Sequence, residues 1–188
     1  MDALLTAFVA AGLAEWGDKT QLLVALLAAR SGRPGIVLAA LFVAVLLSNA
    51  MAAIAGLYIA ETITLRALSF LLALALLFAG AAGLFVRRAP KAGSLRLPLF
   101  AAATILLLAA ELGDRTQFLT FALAGRFGSA PLAAAGATAG TLAACLPALL
   151  LAGQFQEKAP IRAIRYPVAA GFLLIGFAVA VSALRLTA

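Results

Sequence analysis

The chain has 188 residues, of which 65% are hydrophobic and 11% are charged, and its formal net charge at pH 7 is +7. Charged residues make up about 25% of a typical soluble domain, so this composition excludes a soluble domain and predicts an integral membrane protein. The chain has no histidine and a single cysteine, Cys145, which excludes a disulfide framework and a Cys/His metal cage. The basic residues are scattered between apolar runs, which favours a role in membrane orientation over nucleic-acid binding.

Six apolar runs are each long enough to span a bilayer, which takes about 20 residues. They predict transmembrane helices over residues 4–29, 36–58, 67–86, 98–124, 131–152 and 166–186. The segments between these runs hold most of the charges together with Gly and Pro, which is typical of connecting loops. The sequence therefore predicts an all-α integral membrane protein with six transmembrane helices in the lipid bilayer.

The second half of the chain repeats the first half at an offset of 96 residues. The matching positions include Glu15 and Glu111, Asp18 and Asp114, Arg30 and Arg126, and Gly32 and Gly128. Each half contains three predicted helices, and an odd number of spans gives the two halves opposite orientations. We therefore predict two inverted three-helix repeats, residues 1–88 and 98–188, joined by a linker over residues 89–97. Such repeats are typical of transporters whose site lies at the middle of the membrane.

The charges between the predicted helices indicate the orientation of the chain. Nine Lys and Arg residues fall on one side of the membrane: Arg30, Arg33, Arg87, Arg88, Lys91, Arg96, Lys158, Arg162 and Arg165. Three fall on the other side: Arg66, Arg126 and Arg185. Because cytoplasmic loops carry the excess of Lys and Arg, we expect both termini outside and the central loop in the cytoplasm.

The chain contains two nearly identical heptapeptides, EWGDKTQ at residues 15–21 and ELGDRTQ at residues 111–117, which we call the first and second acidic boxes. They hold four of the seven acidic residues, although each box lies within a long apolar run. A carboxylate at the centre of a bilayer costs about 3 kcal/mol on an insertion scale. Such residues usually line an ion or substrate path, so the boxes are the candidate functional site.

On a continuous helix, the residues of the first box would have defined neighbours. Glu15 and Asp18 are three positions apart and would share a face. Lys19 would lie one turn from Glu15 and pair with it. Gly17 would permit either the close approach of another helix or a local break. The remaining residues of the two boxes are expected to support the carboxylates: Thr20, Gln21, Gly113, Arg115, Thr116 and Gln117.

The four box carboxylates are expected to form one metal site: Glu15, Asp18, Glu111 and Asp114. Hard oxygen ligands suit Mn²⁺, Ca²⁺ and Mg²⁺, and the absence of histidine argues against Zn²⁺. Crowded carboxylates also repel one another, which favours proton uptake when no metal is bound. A cluster that holds either a divalent cation or protons meets the chemical requirement for exchange. The alternative is that each box forms ion pairs that only hold helices together.

A second group of polar residues falls near the middle of the predicted helices: Ser48, Asn49, Thr138 and Thr141. They could support the ligands or bind the substrate, and ordinary helix–helix hydrogen bonds explain them equally well. Gly136 and Gly140 form a pair of small residues four positions apart, which favours close helix packing over a chemical role.

The two boxes share the pattern Glu-x-Gly-Asp-Lys/Arg-Thr, which occurs once in each half of the chain. In this pattern the whole chain resembles uncharacterised protein family 16, the Gdt1 and transmembrane protein 165 family of cation transporters. The resemblance implies a secondary transporter of Mn²⁺ or Ca²⁺ that exchanges the cation for protons without a cofactor. For a compact prokaryotic member, it implies Mn²⁺ efflux across the inner (plasma) membrane. The motif carries over to Glu15, Gly17, Asp18, Lys19 and Thr20, and to Glu111, Gly113, Asp114, Arg115 and Thr116.

Two other functions stay open from the sequence. Six-helix exporters of amino acids or other small solutes share this outline, although the chain has few polar side chains for an organic ligand. Intramembrane aspartyl proteases also carry Gly-Asp pairs on two helices and use two Asp residues as an acid/base dyad. The neighbouring Lys19 and Arg115 and the duplicated Glu suit ion coordination better than proteolysis.

Overall fold

The computed structural model describes residues 1–85 and 97–184. Within these ranges the secondary structure is helical, with no strand. The helices are α1 Asp2–Ala14, α2 Lys19–Ser31, α3 Pro34–Ala60, α4 Leu65–Leu84, α5 Leu99–Glu111, α6 Arg115–Phe127, α7 Ala130–Leu151, α8 Phe155–Lys158 and α9 Ile161–Leu184. A 3-10 turn, Ala152–Gln154, joins α7 to α8.

Four of these helices, α3, α4, α7 and α9, are long and apolar enough to cross a membrane. They coincide with the spans predicted over residues 36–58, 67–86, 131–152 and 166–186. The other two predicted spans, 4–29 and 98–124, are each divided into two shorter helices, α1 with α2 and α5 with α6. Among the described residues the protein is therefore an all-α integral membrane protein, and two of the six predicted transmembrane helices are each observed as two shorter helices.

Both breaks occur inside the acidic boxes, and glycine is their physical cause. Gly17 and Gly113 have φ angles of +71° and +73°, in the left-handed region that side chains with a Cβ disfavour. The next residues, Asp18 and Asp114, are extended and act as the N-caps of α2 and α6. Asp is a preferred residue at this position because its short polar side chain suits the non-helical backbone. Both possibilities that Gly17 left open are observed, since the helix breaks here and α9 also approaches closely.

The segment between the two halves falls largely outside the described residues. This applies to the predicted linker over 89–97 and to four of the predicted cytoplasmic cations: Arg87, Arg88, Lys91 and Arg96. Arg185 lies beyond the described residues as well. The boundaries of the two repeats and their inverted orientation therefore stay predictions.

The helices of the two halves are interleaved. Helix α1 packs on α7, α3 packs on α5, α6 and α7, and α4 runs against α9. The α1–α7 contact is close because a Cβ added at Gly136 or Gly140 would collide with the carbonyl oxygens of Leu4 and Phe8. The predicted packing role of this glycine pair is confirmed.

The described helices form two apolar cores, and each core contains one half of both broken helix pairs. One contains α2 and α5 together with parts of α3 and α7, around the fully buried Phe155. The other contains α1 and α6 together with parts of α4 and α7. Each broken helix pair therefore passes from one core to the other, and the acidic boxes lie at the crossing points.

Candidate cation site

The two chain breaks present four acidic side chains to the protein interior. Glu15 and Glu111 lie where α1 and α5 end, and Asp18 and Asp114 lie where α2 and α6 begin. All four are buried, with at most 4% of each residue exposed. Neither Asp caps its helix with a side-chain hydrogen bond. The positive end of each helix dipole nevertheless stabilises the negative charge that lies there.

The two boxes hold each other through reciprocal contacts. The Thr20 hydroxyl donates to Oε1 of Glu111 over 2.7 Å, and the Thr116 hydroxyl donates to Oε1 of Glu15 over 2.7 Å. Thr20 and Thr116 occupy equivalent positions of the repeat, and so do the two acceptors. Each box therefore orients the glutamate of the other box, and one site contains residues of both halves.

The basic residues of the boxes also cross between the halves. Lys19 Nζ lies 3.1 Å from Oδ1 of Asp114, and Arg115 Nη2 lies 3.3 Å from Oδ1 of Asp18. The expectation that Lys19 pairs with Glu15 is therefore wrong. It assumed one continuous helix, and the break at Gly17 removes the one-turn spacing that would have brought these two side chains together.

Three of the carboxylates form a compact cluster. One oxygen each from Glu15, Asp18 and Asp114 lies within 4.8 Å of the others, a separation that a single metal ion could bridge. Glu111 is the fourth predicted ligand, and its carboxylate interacts electrostatically with Asp18 and Asp114 from its hydrogen bond to Thr20. The structure thus brings together three predicted ligands as a metal-sized cluster and places the fourth beside it.

Three carboxylate oxygens of the acidic boxes have no hydrogen-bond donor among the described residues. Oε2 of Glu15, Oε2 of Glu111 and Oδ2 of Asp114 are buried and unpaired in the part of the chain that the structure describes. An unpaired, buried, charged oxygen is strongly unfavourable. Each of these atoms therefore needs a proton or a cation, which is the chemistry expected of an ion-binding site.

The glutamines of the boxes stabilise the breaks themselves. Oε1 of Gln21 accepts a hydrogen bond of 2.8 Å from the Gly17 backbone N–H, and Gln117 does the same for Gly113. Nε2 of Gln21 also donates to the carbonyl oxygen of Ala144 on α7. Gln21 and Gln117 thus replace the helical hydrogen bonds that the left-handed glycines lose.

A polar chain approaches the site from α3 and α7. Thr120 donates to Oδ1 of Asn49 over 3.1 Å and to the carbonyl oxygen of Thr116, and Asn49 donates to Thr138 over 3.4 Å. Thr120 was not among the predicted site residues. Its position one turn after Thr116 in α6 is the sequence signal that could have identified it.

The other two polar residues predicted near the site are also buried. The Ser48 and Thr141 hydroxyls have no hydrogen-bond partner within the described ranges. They lie on α3 and α7, the helices that carry Asn49 and Thr138. Thus all four of these residues lie inside the helix bundle, and two of them belong to the polar chain.

Arg165 was predicted to lie in a cytoplasmic loop, and this prediction is wrong. It belongs to the second turn of α9 and is only 4% exposed. Its side chain packs against the first break, since a Cβ built on Gly17 would lie 3.4 Å from its Cδ. Helix α9 begins at Ile161, five residues before the predicted start of the span, and this earlier start draws Arg165 into the bundle.

The two boxes differ in how they are covered. Gly17 is buried beneath Ile161 and Arg165 of α9, whereas Gly113 is exposed and a Cβ added to it would have no neighbour within 4 Å. A cavity of about 920 Å³ reaches Gly113 and Asp114 between α3, α4 and α6. The cavity therefore reaches one of the four carboxylates, that of Asp114, whereas the first box is covered by α9 at Gly17.

The chain matches a known family model over nearly its whole length. The model described as "Divalent cation/proton antiporter GDT1" matches twice, over residues 3–90 and 99–186. The chain belongs to the GDT1 family. A protein of Vibrio cholerae serotype O1, named "Putative manganese exporter", is 34% identical to it over 183 residues, which cover 96% of this chain and 91% of the relative. No solved structure matches the chain.

Membership of the GDT1 family confirms the resemblance found in the acidic boxes and the assignment to transport. The family transports cations and is not a family of enzymes, so the protease alternative is set aside. The apolar helices and the family together identify an integral membrane transporter.

Proposed function

We propose that this GDT1-family protein exports Mn²⁺ from the cytoplasm in exchange for protons, through one site formed by both acidic boxes. The ligands are Glu15, Asp18 and Asp114, and Glu111 completes the charge of the site. Mn²⁺ is preferred to Ca²⁺ as the physiological cation because the relative from Vibrio cholerae is named for manganese. Both cations accept the same oxygen ligands, so the chemistry alone permits either.

One observation carries the proposal: three buried carboxylates have oxygens within 4.8 Å of one another. Two of these residues, Glu15 and Asp114, each have one oxygen engaged by the opposite box and one oxygen without a donor. A divalent cation could be coordinated by these free oxygens while Thr116 and Lys19 keep their contacts. This arrangement favours a binding site over helix pairing alone, because a buried carboxylate oxygen without a donor is unfavourable unless a proton or a cation binds to it.

Proton exchange follows from the charge balance of the site. Four carboxylates face two cations, Lys19 and Arg115, so the empty site would carry two uncompensated negative charges. Such a charge is costly in a low-dielectric interior, and either a divalent cation or two protons would neutralise it. Metal and protons therefore compete for the same oxygens, and a protein that alternates between them is an antiporter.

The proposed orientation gives the exchange its direction. We place the protein in the inner (plasma) membrane of a prokaryote, with both termini outside and the central loop in the cytoplasm. Moving Arg165 into the bundle reduces the predicted cytoplasmic set from nine cations to eight, against three outside, and leaves the asymmetry intact. An acidic exterior would then drive cytoplasmic metal outward.

The test is metal flux in proteoliposomes under an imposed pH gradient, with the membrane potential clamped by valinomycin and potassium. We expect the gradient to accelerate Mn²⁺ movement and the Mn²⁺ movement to change the lumenal pH. Asp18→Asn and Asp114→Asn should abolish the flux, whereas Asp2→Asn, at the exposed start of α1, should leave it intact. Parallel assays with Ca²⁺ and with amino acids test the alternative substrates.

Metal flux that is indifferent to the pH gradient and leaves the lumenal pH unchanged would rule out exchange and leave a uniporter or channel. Flux of amino acids without metal flux would favour the small-solute exporter. Normal metal flux in either site variant would show that the two boxes do not form one binding site.

A further inference from the structure

Arg165 is a buried cation that the proposed exchange does not use. It is 4% exposed, and its Nε and Nη2 atoms have no hydrogen-bond partner in the described part of the chain. Its guanidinium lies over the ring of Tyr166, whose centroid is 5.1 Å from Cζ. A buried guanidinium normally requires an anionic partner, because its desolvation is otherwise uncompensated.

The anionic residues that flank the point where Arg165 packs belong to the first acidic box. The aliphatic part of Arg165 packs on Gly17, the residue between Glu15 and Asp18, where the chain has no side chain of its own. The guanidinium carries the charge at the end of a long, flexible stem. The guanidinium lies over the ring of Tyr166, while the stem reaches the first box at Gly17.

Among residues 1–85 and 97–184, no side chain packs on Gly113 as Arg165 packs on Gly17. Ser69 occupies the position of α4 that matches Arg165 under the offset of 96 residues. Its hydroxyl accepts a hydrogen bond from Nε of Arg126, at the far end of α6 from Asp114. The repeat therefore supplies Arg165 to the covered box alone, and an uncharged residue stands in the matching place.

We propose that Arg165 is an internal counter-cation that competes with the transported metal for the carboxylates of the acidic boxes. When the site is empty, the guanidinium moves from Tyr166 toward the carboxylates and reduces their net charge from −2 to −1. When a divalent cation binds, the site becomes neutral and Arg165 returns to Tyr166. The arginine thus weakens metal binding at the covered side and promotes release. This inference rests on the proposed function of the site.

The test is the equilibrium affinity for Mn²⁺, measured by calorimetry on the full-length protein in nanodiscs, together with the turnover rate in proteoliposomes. Arg165→Gln should bind Mn²⁺ about tenfold more tightly, because one competing charge is removed, and its maximal turnover should fall because release slows. Arg165→Lys should stay close to the wild type. Arg162→Gln is the matched control, since Arg162 lies three residues earlier in α9 and is exposed.

An arginine with a merely structural role would give a different result. The affinity of folded Arg165→Gln would then be unchanged or weaker, and that outcome overturns the inference. Equal tightening in Arg162→Gln would overturn it as well, because it would reflect general electrostatics at the start of α9. If Arg165→Gln does not fold, Arg165→Met, which suits the buried position, takes its place.

A measurement on the wild-type protein gives an independent readout. In a side-chain spectrum of ¹⁵N-arginine-labelled protein, the Nε resonance that Arg165→Lys removes should shift when Ca²⁺ is added as a diamagnetic probe. An unmoved resonance in protein that binds the ion overturns the inference and leaves the proposed function standing. If the wild-type protein binds neither Mn²⁺ nor Ca²⁺, both proposals fail together.

Discussion

At the scale of single residues, two threonines fix the glutamates of the proposed site. Thr20 and Thr116 each engage one oxygen of the opposite glutamate and leave its other oxygen free. A hydrogen bond to a charged group contributes about 1.5–3 kcal/mol. Each of these hydrogen bonds therefore favours one rotamer of the glutamate side chain, in opposition to the repulsion from the neighbouring carboxylates.

We expect Thr116→Val to reduce the affinity for Mn²⁺ by about tenfold, because the released Glu15 loses its orientation. Thr20→Val should have a similar effect through Glu111. Titration of Mn²⁺ into purified protein measures both. Thr104→Val is the control, since its hydroxyl bonds only to the Phe100 carbonyl of its own helix. An unaltered affinity in Thr116→Val would show that the reciprocal bond does not prepare the site.

The two ion pairs should differ in their contribution to stability. Arg115 and Asp18 are almost fully buried, whereas the Lys19 side chain is 25% exposed in its pair with Asp114. Removing one partner of a buried pair costs about 3 kcal/mol or more, and a partly exposed pair contributes about 1 kcal/mol or less. Thermal unfolding should therefore show a much larger loss for Arg115→Met than for Lys19→Met. Equal losses would contradict the burial argument.

At the scale of helices, the breaks at Gly17 and Gly113 have the same backbone conformation, but different residues surround them. An alanine in the left-handed region costs about 1–2 kcal/mol, so both substitutions should destabilise the protein. A Cβ at Gly17 would also lie 2.6 Å from Cγ2 of Ile161, whereas the space around Gly113 is open. Gly17→Ala should therefore destabilise the protein by about 1–3 kcal/mol more than Gly113→Ala does.

Chemical or thermal denaturation measures this difference. Gly128→Ala gives the backbone cost alone, because Gly128 is also left-handed and a Cβ added to it would have no neighbour within 4 Å. Shortening the clashing side chain, as in Ile161→Ala, should restore part of the stability of Gly17→Ala. If the Gly17 and Gly113 variants lose the same stability, α9 does not press on the first break.

The limits of sequence reasoning are clearest at these breaks. The four long helices were predictable because their hydropathy is continuous and their ends carry Gly, Pro and charges. The broken spans are apolar along much of their length, but the charged and polar residues of the boxes interrupt them, and the Gly-Asp pairs indicate where the helix breaks. The types of ligand were predictable from the repeated boxes. The partner of Lys19 was not, because Asp114 lies 95 residues away and the pair depends on how two halves meet.

At the scale of the whole molecule, the predicted orientation can be tested with single cysteines. Cys145 is 1% exposed, so the native thiol should react little with an impermeant reagent. We expect labelling of Thr62→Cys from outside intact cells, because the α3–α4 connection is predicted to be external. Gly35→Cys and Lys91→Cys should be labelled only after the cells are opened. Labelling of Lys91→Cys from outside would reverse the orientation and with it the proposed direction of export.

The interleaving of helices gives the two halves of this chain a mutual dependence. The face of α7 that carries Gly136 and Gly140 fits the backbone of α1, and α3 in turn lies against α5. A polypeptide of residues 1–88 alone would leave these helix faces without their partner helices inside the membrane, and so would one of residues 98–188. Each would be an obligate partner for the other, able to function only when the two are made in the same cell and assemble. An ancestor of half this length would, by the same reasoning, have worked as a pair of chains.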